Sequence, residues 1–267
     1  MTLPVTREWG PADGRPLVFW PGLNPWGGLQ LVEAGPLLGE RGFRVTSIAP
    51  PGGGETPPLD DPDAYRPSRL AELVLEVADT QGFDRFAFMG ASWGASIGVH
   101  LASAHGERVQ ALILLDAGHT DVKLDRTRDE LVAEFEGDQA DVVFESWDGF
   151  FEYARERVRS WRPELELRYR AGMTERAGKI VPLASPRAAA WALHGVAAEP
   201  PSSQHGRLTM PVLLVLARDR EDREARTRFE AAVPHAEIVV LDSGHDIAED
   251  IPHELADLVA DRLGDLT

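Results

Sequence analysis

The order of apolar and amphipathic segments predicts an α/β fold, with a mostly parallel sheet flanked by helices and a helical cap inserted between two late strands. Short apolar runs alternate with amphipathic stretches, which is the βαβ pattern of a parallel sheet. The chain has 267 residues, a length suited to one large α/β domain with an inserted subdomain. Between 118 and 207 the strand pattern stops, and the sequence becomes charged and helical in character.

Six strands are predicted from apolar runs that are bounded by turn-forming residues. They cover 17–20, 43–48, 86–89, 109–116, 211–217 and 236–241. Helices are predicted between and after them, at 29–41, 66–81, 95–105, 222–233 and 252–263. In the second helix, Leu70, Leu73, Val74 and Val77 share one face, which indicates that this face packs on the sheet.

The interruption of the strand pattern divides the chain into two parts. We expect residues 1–117 and 208–267 to form the core domain, and 118–207 to form the helical cap. Aromatic residues recur in the cap, at Trp147, Phe150, Phe151, Tyr153, Trp161 and Trp191. Two interpretations of these aromatics stay open, the inner face of a lid and the cap's own core.

The composition limits the classes of partner. A formal net charge of −17 disfavours binding to nucleic acid or to a membrane surface, so the expected partner is a small-molecule substrate. A homodimer is left open. The chain has no cysteine, which excludes disulfides, thiolate metal sites and a cysteine nucleophile. We find no signal peptide and no apolar stretch long enough to span a membrane, and we expect a cytoplasmic protein.

The most informative motif is Gly90-Ala91-Ser92-Trp93-Gly94, which lies between a predicted strand and a predicted helix. Gly-x-Ser-x-Gly in this context is typical of a nucleophile elbow, a tight strained turn that presents the serine hydroxyl at the carboxyl end of a sheet. Glycine is needed on both sides because a side chain there would collide with the neighbouring strand and helix. Ser92 is therefore the candidate nucleophile.

Four features together resemble the α/β-hydrolase fold family, in its serine hydrolase branch with a helical cap. They are the Pro21-Gly22 loop after an early strand, the elbow at Ser92, the insertion after Asp116 and the late Gly244-His245 pair. The resemblance covers nearly the whole chain. It implies a mostly parallel, eight-stranded-type sheet and catalytic partners in the order serine, acid, histidine. A serine at the elbow disfavours the dehalogenase and epoxide hydrolase members, which attack with a carboxylate at this position.

The resemblance implies that His245 is the general base. It follows the last predicted strand, where a loop can carry the imidazole over the sheet to Ser92, and an imidazole can both accept and return a proton. Of the other histidines, four are expected to pack or to lie on the surface, and three could line a pocket. They are His100, His105, His235 and His253 in the first group and His119, His194 and His205 in the second.

Two candidates for the triad acid stay open. Most family members place the acid after the strand predicted at 211–217, where Asp219 lies, but the usual spacing falls one residue further on, at Arg220. A minority place the acid at the end of the preceding strand, which is the position of Asp116. We favour Asp116, with Asp219 as the alternative; its role is to hold the imidazole tautomer and to stabilise the imidazolium.

The resemblance also implies an oxyanion hole made of backbone N–H groups. The expected donors are Trp93, directly after the nucleophile, and Leu23, directly after Pro21-Gly22. Asn24, Trp26 and His119 are candidate substrate-binding residues. We expect no metal and no cofactor, because the late aspartates and histidines lack the spacing of a metal site and the glycine-rich segment 50–54 lacks the ending of a phosphate loop.

The expected function is a serine hydrolase that acts through an acyl-enzyme on a small or medium, mostly apolar carboxylic ester or lactone. On the same triad, the alternatives are a carbon–carbon bond hydrolase and a cofactor-free haloperoxidase-type enzyme. An alternative of another class is a hydrolase-like ligand-binding protein without catalysis. Fold alone does not choose among these functions.

Overall fold

The computed structural model describes residues 3–23, 27–140, 142–159, 161–218 and 222–264. The strands of these residues are β1 (Thr6–Trp9), β2 (Arg15–Trp20), β3 (Phe43–Ile48), β4 (Phe86–Ala91), β5 (Val109–Leu115), β6 (Met173–Arg176), β7 (Lys179–Pro182), β8 (Val212–Ala217) and β9 (Glu237–Leu241). Seven of them form one sheet in the order β1-β3-β2-β4-β5-β8-β9, and β6 and β7 pair with each other.

All neighbouring strands of the large sheet run parallel, except that β1 pairs antiparallel with β3. The predicted α/β fold is confirmed, and the six predicted strands correspond to β2, β3, β4, β5, β8 and β9. The expected eight-stranded type is not reached in the described residues, where the sheet has seven strands. Strand β1 was not predicted, because this half-exposed edge strand reads Thr-Arg-Glu-Trp and has no apolar run.

The helices that flank the sheet begin and end close to their predicted bounds. They are α1 (Ala34–Glu40), α2 (Pro67–Thr80), α3 (Trp93–Ala104), α8 (Arg223–Ala232) and α10 (Pro252–Leu263), and a short α9 (Ile247–Asp250) precedes the last. Only the helix predicted at 29–41 is divided, into a 3-10 turn at Gly27–Leu31 and α1. Pro36 lies in the first turn of α1, where its missing N–H is not needed; further inside a helix it would break a hydrogen bond.

Apolar side chains cover both faces of the sheet. On one face, α2 and α3 bury residues such as Leu70, Val74 and Ile97 against β2, β4 and β5. On the other face, α1 and α10 bury Leu38 and Val259 in a second cluster. Burial on both faces explains why β4 and β8 are continuous apolar runs without alternation.

The insertion between β5 and β8 contains α4 (Arg128–Ala140), α5 (Trp147–Arg155), α6 (Pro163–Ala171) and α7 (Pro186–Ala198). It also contains the antiparallel β6–β7 hairpin, which the prediction of a helical insertion did not include. Phe150, Phe151 and Tyr169 are buried in a separate cluster of the insertion, so these aromatics form its own core. Helix α7, in contrast, packs on the core of the sheet domain.

No helix of the described residues combines the length and the apolar character that a membrane crossing requires.

Candidate active site

Ser92 is the single residue between β4 and α3, and its backbone is strained. Its φ of 50° and ψ of −112° lie outside the regions that residues other than glycine prefer. The Ser92 N–H donates to the Leu115 carbonyl of the neighbouring strand β5, at 3.0 Å. The sheet thus fixes the residue from one side, and the helix that starts at Trp93 turns the chain away on the other.

The two flanking glycines of the elbow are required by close backbone contacts. A Cβ on Gly90 would lie 2.3 Å from the Gly94 carbonyl oxygen, and a Cβ on Gly94 would lie 2.2 Å from the Trp20 carbonyl oxygen. Both distances are shorter than any real carbon–oxygen contact. Glycine therefore lets α3 approach β4 and β2 closely enough to form the turn.

Asp116 occupies the corresponding position at the end of the next strand, β5. Its φ is 51°, and its N–H donates to the Val215 carbonyl of β8 at 2.8 Å. The carboxylate is 4% exposed, and its Oδ1 accepts the Ala217 N–H at 2.9 Å. Oδ1 is thus bonded to the backbone of β8, which leaves Oδ2 for a second partner.

That second oxygen contacts His245. Asp116 Oδ2 lies 2.6 Å from His245 Nδ1, and the imidazole, which follows β9, is 31% exposed. With a proton on Nδ1 donated to the carboxylate, the imidazole keeps Nε2 free to accept a proton. The structure therefore brings Asp116 and His245 together, whereas the alternative acid Asp219 lies outside the described residues.

The loop that carries His245 is itself held by a carboxylate. Asp250, at the end of α9, accepts the Gly244 N–H at 2.7 Å. Burial raises the pKa of Asp250, and the hydrogen bond from Gly244 acts against this shift. A half-buried carboxylate thus fixes the backbone of the residue directly before His245.

A cavity of about 290 Å³ lies beside the elbow, between the sheet domain and the insertion. On the core side it is lined by Gly22, Leu23, Trp93 and residues 50–53 of the loop after β3. On the insertion side the lining includes Phe135, Val142, Pro182 and Ala188. Asp138 is the one charged residue among the lining residues that the structure describes. The cavity suits an uncharged, mainly apolar group.

Both predicted oxyanion donors, Leu23 and Trp93, line this cavity. Trp93 is the first residue of α3, so its N–H has no acceptor within the helix. Its indole packs edge-on against Trp20, with ring centroids 5.5 Å apart, and is 6% exposed. Trp93 thus contributes both to the core and to the cavity wall.

The three predicted substrate-binding residues are placed differently. Asn24 and Trp26 lie outside the described residues. His119 is buried, and this burial lowers its pKa. It is not among the residues that line the cavity. Its contact with substrate stays a prediction.

Four of the other histidines bond to groups outside the Asp116–His245 pair. His100, His205 and His235 each contact a backbone carbonyl, of Glu199, Gly118 and Met210, and His105 contacts the Glu72 carboxylate; the distances are 2.7–3.1 Å. These contacts are those of packing and surface histidines. Within the described ranges, no group of three or more histidine, aspartate and glutamate side chains could hold a metal ion.

Sequence reasoning missed Gln30 and the insertion residues of the cavity. Gln30 is buried and bonds both to Gly22 and to Asp246, the residue after His245. No local motif marks it. The aromatics that the sequence did indicate, such as Phe150, form the core of the insertion, while Phe135 and Val142 face the cavity.

A family model described as the alpha/beta hydrolase fold matches residues 15–252. The chain belongs to this family, which confirms the resemblance found in the sequence.

Relatives and solved structures agree with this assignment. A protein of Mycobacterium phage D29, which carries the provisional name non-heme haloperoxidase, is 33% identical over 104 residues; the match covers 39% of this chain and 36% of that protein. The thioesterase domain from the curacin biosynthetic pathway has a TM-score of 0.78 at 17% identity, with 95% of this chain and 93% of that one covered. E-2-(acetamidomethylene)succinate hydrolase has a TM-score of 0.78 at 21% identity, with 97% and 94% covered. A marine microorganism esterase has a TM-score of 0.73 at 16% identity, with 97% and 98% covered. At these identities, the structural likenesses establish the fold alone.

Proposed function

We propose that this protein is a serine hydrolase that cleaves small or medium, mostly apolar carboxylic esters or lactones. One observation carries the proposal: His245 Nδ1 lies 2.6 Å from the buried Asp116 carboxylate, on the loop after β9, while Ser92 occupies a strained elbow at the end of β4. A serine becomes nucleophilic only when a base takes its proton, and this pair supplies an oriented base.

The reaction follows from these roles. His245 Nε2 takes the Ser92 hydroxyl proton as Oγ attacks the substrate carbonyl, and the N–H groups of Trp93 and Leu23 bind the resulting oxyanion. His245 then returns the proton to the leaving alcohol, and the carbon–oxygen bond of the ester breaks. Water, deprotonated by His245, attacks the acyl-enzyme; the collapse of this second intermediate releases the acid and restores the serine.

The cavity favours small or medium, mostly apolar esters and lactones as substrates. Its volume of about 290 Å³ and its proline, alanine, valine and phenylalanine lining suit an acyl group of moderate size without charge. Because helices and loops of the insertion form one wall, we propose that the cap, residues 118–207, takes part in substrate selection. Lactones of similar size present the same carbonyl to Ser92.

The test is hydrolysis of a p-nitrophenyl ester series from acetate to octanoate and of γ- and δ-lactones, by the wild type and Ser92→Ala. Ser103→Ala is the matched control, because Ser103 lies at the far end of α3 and bonds to the His100 carbonyl. We expect kcat/KM to peak at short or medium acyl chains, Ser92→Ala to lose activity and Ser103→Ala to retain it. Equal rates for Ser92→Ala and the wild type would contradict the proposal.

A second candidate is supported by the likeness to the phage protein that carries the haloperoxidase name. On the same triad, hydrogen peroxide instead of water would attack an acetyl-enzyme, giving peracetic acid, which oxidises bromide. The assay is bromination of monochlorodimedone in acetate buffer with peroxide. Bromination that depends on Ser92 and exceeds ester hydrolysis would favour this activity; its absence would leave the ester or lactone hydrolase.

A further inference from the structure

The Gln30 side chain links two segments of the candidate active site. It lies in the 3-10 turn at Gly27–Leu31 and is 4% exposed. Its Oε1 accepts the Gly22 N–H at 2.9 Å, and its Nε2 donates to Asp246 Oδ1 at 2.8 Å. These partners fix the orientation of the amide, because a backbone N–H needs an acceptor and a carboxylate needs a donor.

The two segments carry two groups that act in the same step, an N–H that binds the oxyanion and the base that takes the Ser92 proton. Gly22 directly precedes Leu23, the proposed oxyanion donor, and Asp246 directly follows His245, the proposed base. Gly22 lies 8 residues from Gln30 in the chain and Asp246 lies 216 residues from it, so the side chain joins two segments that are distant in sequence. In the described part of the chain no strand pairing joins these loops, since one follows β2 and the other follows β9 at the edge of the sheet.

We propose that Gln30 is a positioning residue that fixes the loop of Gly22 and Leu23, the oxyanion loop, relative to the loop of His245 and Asp246, the histidine loop. It is not among the residues that line the cavity, and it acts through the backbone of Gly22 and through the Asp246 carboxylate. Asp250 fixes Gly244 before the histidine, and Gln30 fixes Asp246 after it, so His245 is held on both sides. This inference rests on the proposed serine hydrolase function.

The chemistry of the bridge explains why the residue is glutamine. A carboxamide offers one acceptor and one donor group at neighbouring positions, which matches the N–H on one side and the carboxylate on the other. A glutamate would keep the acceptor for Gly22 but would place a second carboxylate against Asp246. A leucine of similar size would leave the Gly22 N–H without a partner in a buried place.

The test exchanges donor and acceptor across the bridge. In Gln30→Glu, repulsion between the two carboxylates should reduce kcat about 10- to 100-fold, with a smaller change in KM. Asp246→Asn keeps an oxygen for the glutamine N–H and should stay within about 3-fold of the wild type. In the double variant, the asparagine amide at position 246 can donate to the carboxylate introduced at position 30, so kcat should return to within about 3-fold of the Asp246→Asn value.

Three readouts separate positioning from a merely structural role. They are the split between kcat and KM, the affinity for a boronic acid transition-state analogue, and the midpoint of urea unfolding. We expect Gln30→Glu to lose kcat and analogue affinity together, and both to return in the double variant. If Gln30→Glu does not fold, Asp246→Ala replaces it, because this change removes only the link to the histidine loop; it should lower kcat at nearly unchanged KM.

Wild-type kcat in Gln30→Glu, or in Asp246→Ala when that variant replaces it, would overturn the inference. So would a loss in a folded Gln30→Glu that the double variant does not recover. Ser92→Ala, measured in the same series, distinguishes the two proposals. If Ser92→Ala is inactive while Gln30→Glu is fully active, only the inference on Gln30 fails; if Ser92→Ala hydrolyses esters at the wild-type rate, the proposed function fails.

Discussion

Replacing Asp116 by asparagine tests how the carboxylate controls the His245 tautomer. Asp116 Oδ1 accepts the Ala217 N–H at 2.9 Å, so the amide oxygen of an asparagine should take that position. Its NH2 group then replaces Oδ2, 2.6 Å from His245 Nδ1 in the wild type, and needs an acceptor there. His245 Nδ1 must therefore lose its proton and Nε2 must carry one, which leaves no base for Ser92.

The magnitude follows from the alternative orientation. If the amide turns over to restore the productive tautomer, its NH2 meets the Ala217 N–H, and two buried donors lose their acceptors. Each such loss costs about 1–3 kcal/mol, or about 2–6 kcal/mol in total. At about 1.4 kcal/mol for each factor of ten, kcat should fall about 30-fold to 20,000-fold, with little change in KM.

The assay is p-nitrophenyl butyrate hydrolysis at pH 7.5, with urea unfolding to verify the fold. Asp242→Asn is the matched control, because this carboxylate lies three residues before His245 but is 74% exposed; its kcat should not change. Asp219→Asn, which removes the alternative acid, should also retain most activity. A folded Asp116→Asn with wild-type kcat, or a larger loss in Asp219→Asn, would refute the reasoning.

Three further predictions concern stability. Gly94→Ala places a Cβ 2.2 Å from a backbone oxygen and should destabilise the fold by about 1–3 kcal/mol or more. Gly137→Ala, in α4, places a Cβ that meets no atom within 4 Å beyond the backbone of its own helix, and it should stabilise the fold by about 0.5–1 kcal/mol. Equal effects of the two changes in urea unfolding would contradict the close contact. Arg168→Met should destabilise the fold by about 3–5 kcal/mol, because it leaves Glu249, its buried partner across the insertion–core boundary, without a counter-charge. Adding Glu249→Leu should recover most of this loss. Burial lowers the pKa of His205 from 6.5, so as the pH falls below 6.5 the unfolded chain binds a proton that the folded chain does not, and stability is lost. His205→Gln should therefore lose less stability than the wild type between pH 7.5 and 5.5. An equal loss in the two proteins would exclude His205 as a contributor.

The fold was largely predictable because the buried strands are continuous apolar runs. Strands β4 and β8 are buried along their whole length, so local sequence indicates them directly. Strand β1 and the β6–β7 hairpin escaped because they are short, partly exposed and lack such runs. These strands form by pairing with other strands, and the few residues of each strand do not by themselves indicate that pairing.

The candidate site was predictable to the extent that each residue follows a strand. Ser92, Asp116 and His245 stand at or after strand ends, so the topology brings them to one edge of the sheet. The sequence left the acid open between two positions; the structure places Asp116 Oδ2 2.6 Å from His245 Nδ1, whereas Asp219 lies outside the described residues, so the choice of Asp116 stays a proposal. Gln30 could not be found in this way, because its importance lies in a partner 216 residues away.

Labelling with a fluorophosphonate tests the central claim, an activated nucleophile at Ser92, most directly. Intact-mass spectrometry followed by peptide mapping identifies the modified residue. We predict one adduct per chain, located on Ser92, absent in Ser92→Ala and formed much more slowly in Asp116→Asn. A wild-type chain that stays unlabelled, or an adduct on another residue that persists in Ser92→Ala, would contradict the assignment of Ser92 as the nucleophile.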